Sequence, residues 1–282
     1  MLISSVCLAL MSAFVKMVSK DLPTIEIVFF RNILGVLVIS LSFVKKPMRH
    51  VGGKPWLLFF RGAIGLIAML SYFYNITHIP LVDAVTYSRT SPLFTALFAF
   101  LLLHEKIGFK GLLAMLLGFI GMLLVMQPGG EIHKSYIFGL LNAVCAALAF
   151  TSIRELKRYY DTRAIVLSFM GIGLLVPIFS MIVSHFYVSE TFDFIMGDFI
   201  MPQGIQWFYL AGIGTFASIS QIYMTRAYGA ANAVIVGATG YSVILFSLLI
   251  GLVLGDNLPN IIGIIGIVFI ILGGIIIAKE KN

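Results

Sequence analysis

Apolar residues fall along this chain in long unbroken blocks, each closed by charge, proline or glycine. The blocks occupy residues 2–18, 24–44, 56–77, 82–103, 109–127, 136–153, 164–184, 205–224, 233–254 and 260–278. Most hold roughly 18 to 22 residues. At about 1.5 Å of rise per residue, such a helix crosses a hydrocarbon core of about 30 Å. Spanning strands would alternate apolar and polar positions over shorter segments, which these blocks do not do. The pattern predicts an all-α integral membrane protein with ten transmembrane helices.

The polar connections assign an orientation. With the N-terminus in the cytoplasm, the inner side receives Lys45, Lys46, Arg49, Lys54, Lys106, Lys110, Arg154, Lys157, Arg158, Arg163, Arg226, Lys279 and Lys281. The outer side receives only Lys20 and Lys134, among Asp21, Glu131, Glu190, Asp193, Asp198 and Asp256. Basic residues concentrate in cytoplasmic loops, so both termini are expected inside. The longest connection, residues 185–204, carries Phe186, Tyr187, Phe192 and Phe194 and reads as a segment lying on the outer interface; a gate is the alternative.

The two halves echo each other. Tyr74 to Val85 has a counterpart at Tyr223 to Val234, and Leu102-Leu103-His104-Glu105 resembles Val253-Leu254-Gly255-Asp256. Gly121 and Gly273 each lead an apolar end. The chain divides into a first five-helix repeat over 1–127, an outer linker at 128–135, and a second repeat over 136–282. Five is odd, so the second repeat enters the membrane the opposite way round.

Composition narrows the function classes. Of 282 residues, 60% are hydrophobic and 11% charged, too few charges to wet a soluble surface. The net charge of +7 is spent on topology, which argues against nucleic acid as a partner. The start has neither the basic region nor the cleavage site of a signal peptide. Cys7 and Cys145 sit in apolar blocks, and the five histidines form no metal spacing with each other or with cysteine. No serine elbow, phosphate-binding loop or nucleotide-binding domain is present, so the chain reads as no enzyme, without cofactor or metal. A membrane-embedded lipid-modifying enzyme is the remote alternative.

Several motifs carry a family resemblance. Phe30-Arg31-Asn32, Arg61-Gly62-Ala63-Ile64-Gly65, Tyr72-Phe73-Tyr74, Leu81-Val82-Asp83-Ala84, Ser91 to Leu97 and His104-Glu105-Lys106 resemble the first repeat of the drug/metabolite transporter (DMT) superfamily, most closely its EamA-type members. The resemblance covers roughly residues 25–127 and, more weakly, 136–278. It implies two inverted five-helix repeats around a central cavity, alternating access, and a small metabolite as cargo. It also implies that helices three, four, eight and nine line much of the cavity, and that helices five and ten pack peripherally as a surface for a homodimer. Two departures stand out. Gly240, Tyr241 and Ser242 occupy the place of Pro92 in the second half, and Arg89 stands where relatives carry small or apolar residues.

Arg89 and Arg31 are the foremost binding candidates. Each lies about seven residues inside the outer edge of its span, roughly 10 Å deep. A guanidinium at that depth must face a cavity or a partner, and two at matching height form a clamp for carboxylate or phosphate. The competing reading pairs them with Glu26 and Asp83, or lets them snorkel. Lys16 is expected to snorkel, and Arg61 and Arg226 to act as topology anchors or inner-gate charges. Ser88, Ser91, Tyr72, Asn75, Gln221, Tyr223, Tyr241 and Ser242 are polar groups able to hydrogen-bond a solute; their hydroxyls can equally bond backbone or glue helices. Pro92, inside the fourth span, is the hinge candidate. The chain thus reads as a secondary transporter of a small organic metabolite, leaning to anions. Export of neutral or zwitterionic amino acids is the alternative, and the driving force is a proton or sodium gradient or solute exchange. Its place is the cytoplasmic membrane of a prokaryote.

Overall fold

The computed structural model describes residues 1–45, 52–91, 93–95, 97–98, 109–126, 134–184, 199–230, 236 and 239–280. Among them run α1 Leu2–Val18, α2 Thr24–Lys45, α3 Pro55–His78, α4 Leu81–Ser88, α5 Phe109–Met126, α6 Lys134–Leu156, α7 Thr162–Ser184, α8 Gln206–Ala230, α9 Ser242–Val253 and α10 Ile261–Glu280. Pro92, the linker residues 128–133 and the loop residues 185–198 lie outside the described residues.

The helix starts follow local chemistry. Pro55 opens α3, where its missing N–H costs nothing. Asp161 accepts the Arg163 N–H at the head of α7, and Asn260 accepts the Gly263 N–H at the head of α10. Apolar and polar residues are distributed inside out. Ile261, Phe179 and Leu175 are 77%, 69% and 66% exposed, whereas Arg61 and Glu26 are 1% and 0% exposed. Only an apolar surrounding medium rewards that arrangement. Among the described residues four helices carry long apolar windows, at Thr24–Leu41, Pro55–His78, Lys134–Ile153 and Thr162–Ser184.

The packing is symmetric between the halves. α1 packs on α8 as α3 packs on α6, and α3 on α7 as α2 on α8. α2 pairs with α7, α4 with α9 and α5 with α10, each with its own counterpart five helices on. These counterparts run antiparallel. Gly121 of α5 lies against Gly266 of α10, while Ala114 and Gly118 lie against Gly273. Leu81 of α4 meets Gly251, while Arg89 meets Gly240. This is the relation an inverted repeat requires, and the fold is an all-α, multi-helix membrane fold of that kind.

The fourth and ninth blocks differ from their uninterrupted prediction. α4 ends at Ser88, and Arg89 donates its N–H to both Val85 O and Thr86 O, each at 3.0 Å. The next turn is tight: Thr90 N–H reaches Tyr87 O and Leu93 N–H reaches Thr90 O, both three residues back. In the second half the break falls at Tyr241, just before α9. Apolar content alone could not reveal either break, because both sit inside strongly hydrophobic blocks.

Candidate functional site

Glycine and alanine on the facing sides of α3 and α6 leave room between the helices. Gly65, Ala68, Ala146 and Ala149 border a cavity of about 630 Å³, open mouth included. Its other walls come from α1 (Leu8, Met11), the aromatic rings Tyr72, Phe73, Phe150 and Phe169, and Met69 and Met224. Into this largely apolar space project Arg31, Arg61, Ser88, Arg89, Asn142 and Gln221.

The three arginines are held by different devices. Arg31 donates through Nη1 to Asn32 Oδ1 at 2.8 Å, and Asn32 in turn donates to Val28 O and Gly173 O, which ties α2 to α7. Its guanidinium carbon stands 5.3 Å from the centre of the Phe169 ring. That of Arg61 stands 4.9 Å from the same ring, where the absence of a side chain on Gly65 leaves it space. Arg89 leaves the chain at the α4 break. An ideal Cβ on Gly240 would lie 2.9 Å from its Nη1, so it packs directly over that glycine. The phenols of Tyr72, Tyr228 and Tyr241 are its electrostatic neighbours.

None of the three pairs with an acid among the described residues. Among the described residues the ion pairs join Lys16 to Asp256, Lys54 and Arg158 to Glu155, and Arg163 to Asp161. Arg31 Nε, Arg61 Nε and Nη1, and Arg89 Nε are buried without an acceptor. Glu26 and Asp83, the acids expected for Arg31 and Arg89, form no ion pair with them, and Glu26 Oε1 stays buried without a partner. Glu26 accepts the Ile200 N–H at 2.9 Å, and Asp83 lies by Lys16 and Asp256. Lys16 does not snorkel; its ammonium meets Asp256, whose second oxygen accepts the Leu81 N–H.

Of the residues singled out from sequence, Arg31, Arg89, Tyr72, Ser88 and Gln221 line one cavity. The others lie elsewhere. Asn75 is buried with Oδ1 unpartnered, and Ser91 is buried with its carbonyl bonded to the Thr95 hydroxyl. Tyr223 is 40% exposed on the outside of α8, with Arg226 over its ring. Tyr241 is buried beside Arg89 with its hydroxyl unpartnered, and Ser242 donates to Thr239 O. Many other hydroxyls bond their own helix, as Ser71 does to Ile67 O and Ser218 to Gly214 O. Arg61 was expected at a helix end; its side chain instead turns into the protein. Its position six residues into α3, about 9 Å by helical rise, is the signal that placed it deep. Asn142, which donates to Ala68 O at 2.6 Å and leaves Oδ1 unpartnered, was not expected.

Comparison with known proteins agrees with this architecture. Residues 1–127 match the EamA-like transporter family. An uncharacterized transporter of Helicobacter pylori is 32% identical, covering 98% of this chain and 92% of that protein. The pseudopaline exporter CntI of Pseudomonas aeruginosa is 33% identical, covering 99% and 95%. The chain belongs to the EamA-like transporter family. An S-adenosylmethionine uptake transporter of Rickettsia prowazekii, at 22% identity, covers 100% of this EamA-like chain. A crystal structure at 18% identity superposes with a TM-score of 0.68 over 100% of this chain and 98% of the other. As an EamA-like protein this chain is a multi-pass transporter of the cytoplasmic membrane and not an enzyme.

Proposed function

We propose that the protein is a secondary transporter of a small organic anion that bears carboxylate. The observation carrying this reading is the set of three buried guanidinium groups around one cavity, with N–H groups that find no acceptor and no acid among the described residues. A buried ion left uncompensated costs several kcal/mol, and a carboxylate accepts two parallel N–H bonds from each guanidinium fork. A zwitterionic amino acid is the weaker reading, since among the described residues no carboxylate on the cavity wall receives its ammonium.

The reading includes ten membrane crossings in two inverted repeats, at 1–127 and 136–282 with an outer linker between, and both termini in the cytoplasm. The cavity then extends inward from mid-membrane, along Arg61 of α3 and Phe150 of α6. Lys16, Asp256 and Leu81 close the outer end. Alternation between this form and one open outward carries the solute, driven by a proton or sodium gradient or by exchange. The exporter among the relatives at 33% identity favours outward movement. Pro92 remains the proposed hinge, and the outer faces of α5 and α10 the proposed dimer surface.

Flux into proteoliposomes tests the reading. Arg89→Gln is expected to abolish carboxylate transport while leaving insertion and size-exclusion behaviour unchanged. Wild-type rates and affinity in that variant would remove the arginine from recognition.

A further inference from the structure

The three guanidinium groups do not form one cluster. Arg31 and Arg61 approach the same ring, Phe169, at 5.3 and 4.9 Å, and repel each other. Arg89 shares neither neighbour. It comes from the α4 break, packs over Gly240, and its charge is felt by Tyr72, Tyr228 and Tyr241 instead. Both groups line the same cavity, so it has two cationic poles. Each pole keeps buried N–H groups without an acceptor: Nε of Arg31 with Nε and Nη1 of Arg61 at one, Nε of Arg89 at the other. The remaining wall is mostly alanine, methionine and aromatic carbon.

We infer that the transported solute carries two anionic groups on one skeleton, one held by the Arg31–Arg61 pair and the other by Arg89, with Arg61 a specificity residue. This rests on the anion-transporter reading and sharpens it. A monocarboxylate compensates one pole and leaves the other buried and unpaired, a state costing several kcal/mol. A dicarboxylate satisfies both. Both poles border one continuous space that opens at its mouth, so a single solute reaches both. The unpartnered Oδ1 of Asn142 is an acceptor, which suits a hydroxyl or amide N–H between the two anionic ends.

The test compares matched pairs, succinate with butyrate and glutarate with valerate, by calorimetry and by thermal shift on purified wild-type protein. Arg61→Gln, Arg89→Gln and the charge-retaining Arg61→Lys complete the set, with circular dichroism to verify folding. Dicarboxylates are expected to bind wild type about 10- to 100-fold more tightly than their monocarboxylate partners, the worth of one charge-assisted contact. Arg61→Gln and Arg89→Gln are each expected to erase that preference, and Arg61→Lys to restore part of it. Equal affinity for both members of a pair overturns the two-pole inference and leaves the anion reading standing. Binding that ignores charge altogether, with the uncharged diamides equal to the acids, overturns the anion reading itself.

Discussion

Arg89 shows how a single side chain can be costly to bury and still be kept. Arg89 is 5% exposed, its Nε has no acceptor among the described residues, and its guanidinium rests against Gly240. The neighbouring backbone carries no side chain at that point, so the glycine provides the space the charge occupies. Gly240→Ala is therefore a residue-scale probe. The added Cβ would meet Nη1 at 2.9 Å, and the flexible end of the arginine would move rather than the helix. Anion affinity is expected to fall by about tenfold, as one charge-assisted contact is misaligned, with Tm nearly unchanged. A large loss of Tm with unaltered affinity would mean that the helix had moved and the arginine had not. Arg61 was the residue least legible in the sequence, because a cation near a helix end normally marks the membrane surface. Burial at 1% required the specific vacancy beside Gly65 and the face of Phe169.

At the scale of elements, two kinds of helix coexist. α5 and α10 pack backbone to backbone. Gly121 and Gly266 each face the other's carbonyl at 2.6 Å from an ideal Cβ, and Gly273 faces Ala114 O at 2.6 Å. No flexible side chain stands there to yield, so the helices must separate if a methyl is added. Gly266→Ala is expected to destabilise by about 1–3 kcal/mol, the usual cost of overpacking. Thermal unfolding in detergent would detect it, and an unchanged Tm would show the contact to be loose. The sequence marked Gly121 and Gly273 as matching positions of the two halves, without showing what either packs against. It did not show the breaks at Arg89 and Tyr241, because turn geometry inside an apolar block depends on which backbone groups the neighbouring helices leave free. Interrupted helices in matching positions of two repeats are where transporters place their solute sites, and the Arg89 break borders the cavity here.

For the whole molecule, charge makes the two ends of the bundle chemically different although the halves repeat. One end is tied by Lys16, Asp256 and the Leu81 N–H, which join α1, α4 and the turn after α9. The other carries the exposed Lys54–Glu155 pair at 2.8 Å; the bonded ammonium draws the Glu155 carboxyl below its ordinary range. Exposed pairs of this kind contribute little, whereas the half-buried Lys16–Asp256 contact has both cost and direction. Lys16→Met is expected to loosen that end. With Cys7 and Cys145 replaced by alanine, Ser88→Cys on the cavity wall should then react faster with an impermeant thiol reagent from outside. Identical labelling rates with and without Lys16 would discard the latch.

By itself the sequence determined the class of molecule, an all-α membrane protein, the positions of most of its helices, and two arginines that the structure places on the cavity wall. These follow from hydrophobic block length and charge placement, which are local quantities summed along the chain. Only the tertiary structure decided which cations lack acids and which helices break. It also brought Arg61, Asn142 and Phe169 into the cavity and turned Tyr223 outward. Such outcomes depend on what faces each group across the bundle from segments 74 or more residues away, as Ala68 faces Asn142, and no short window of sequence contains both sides of that contact.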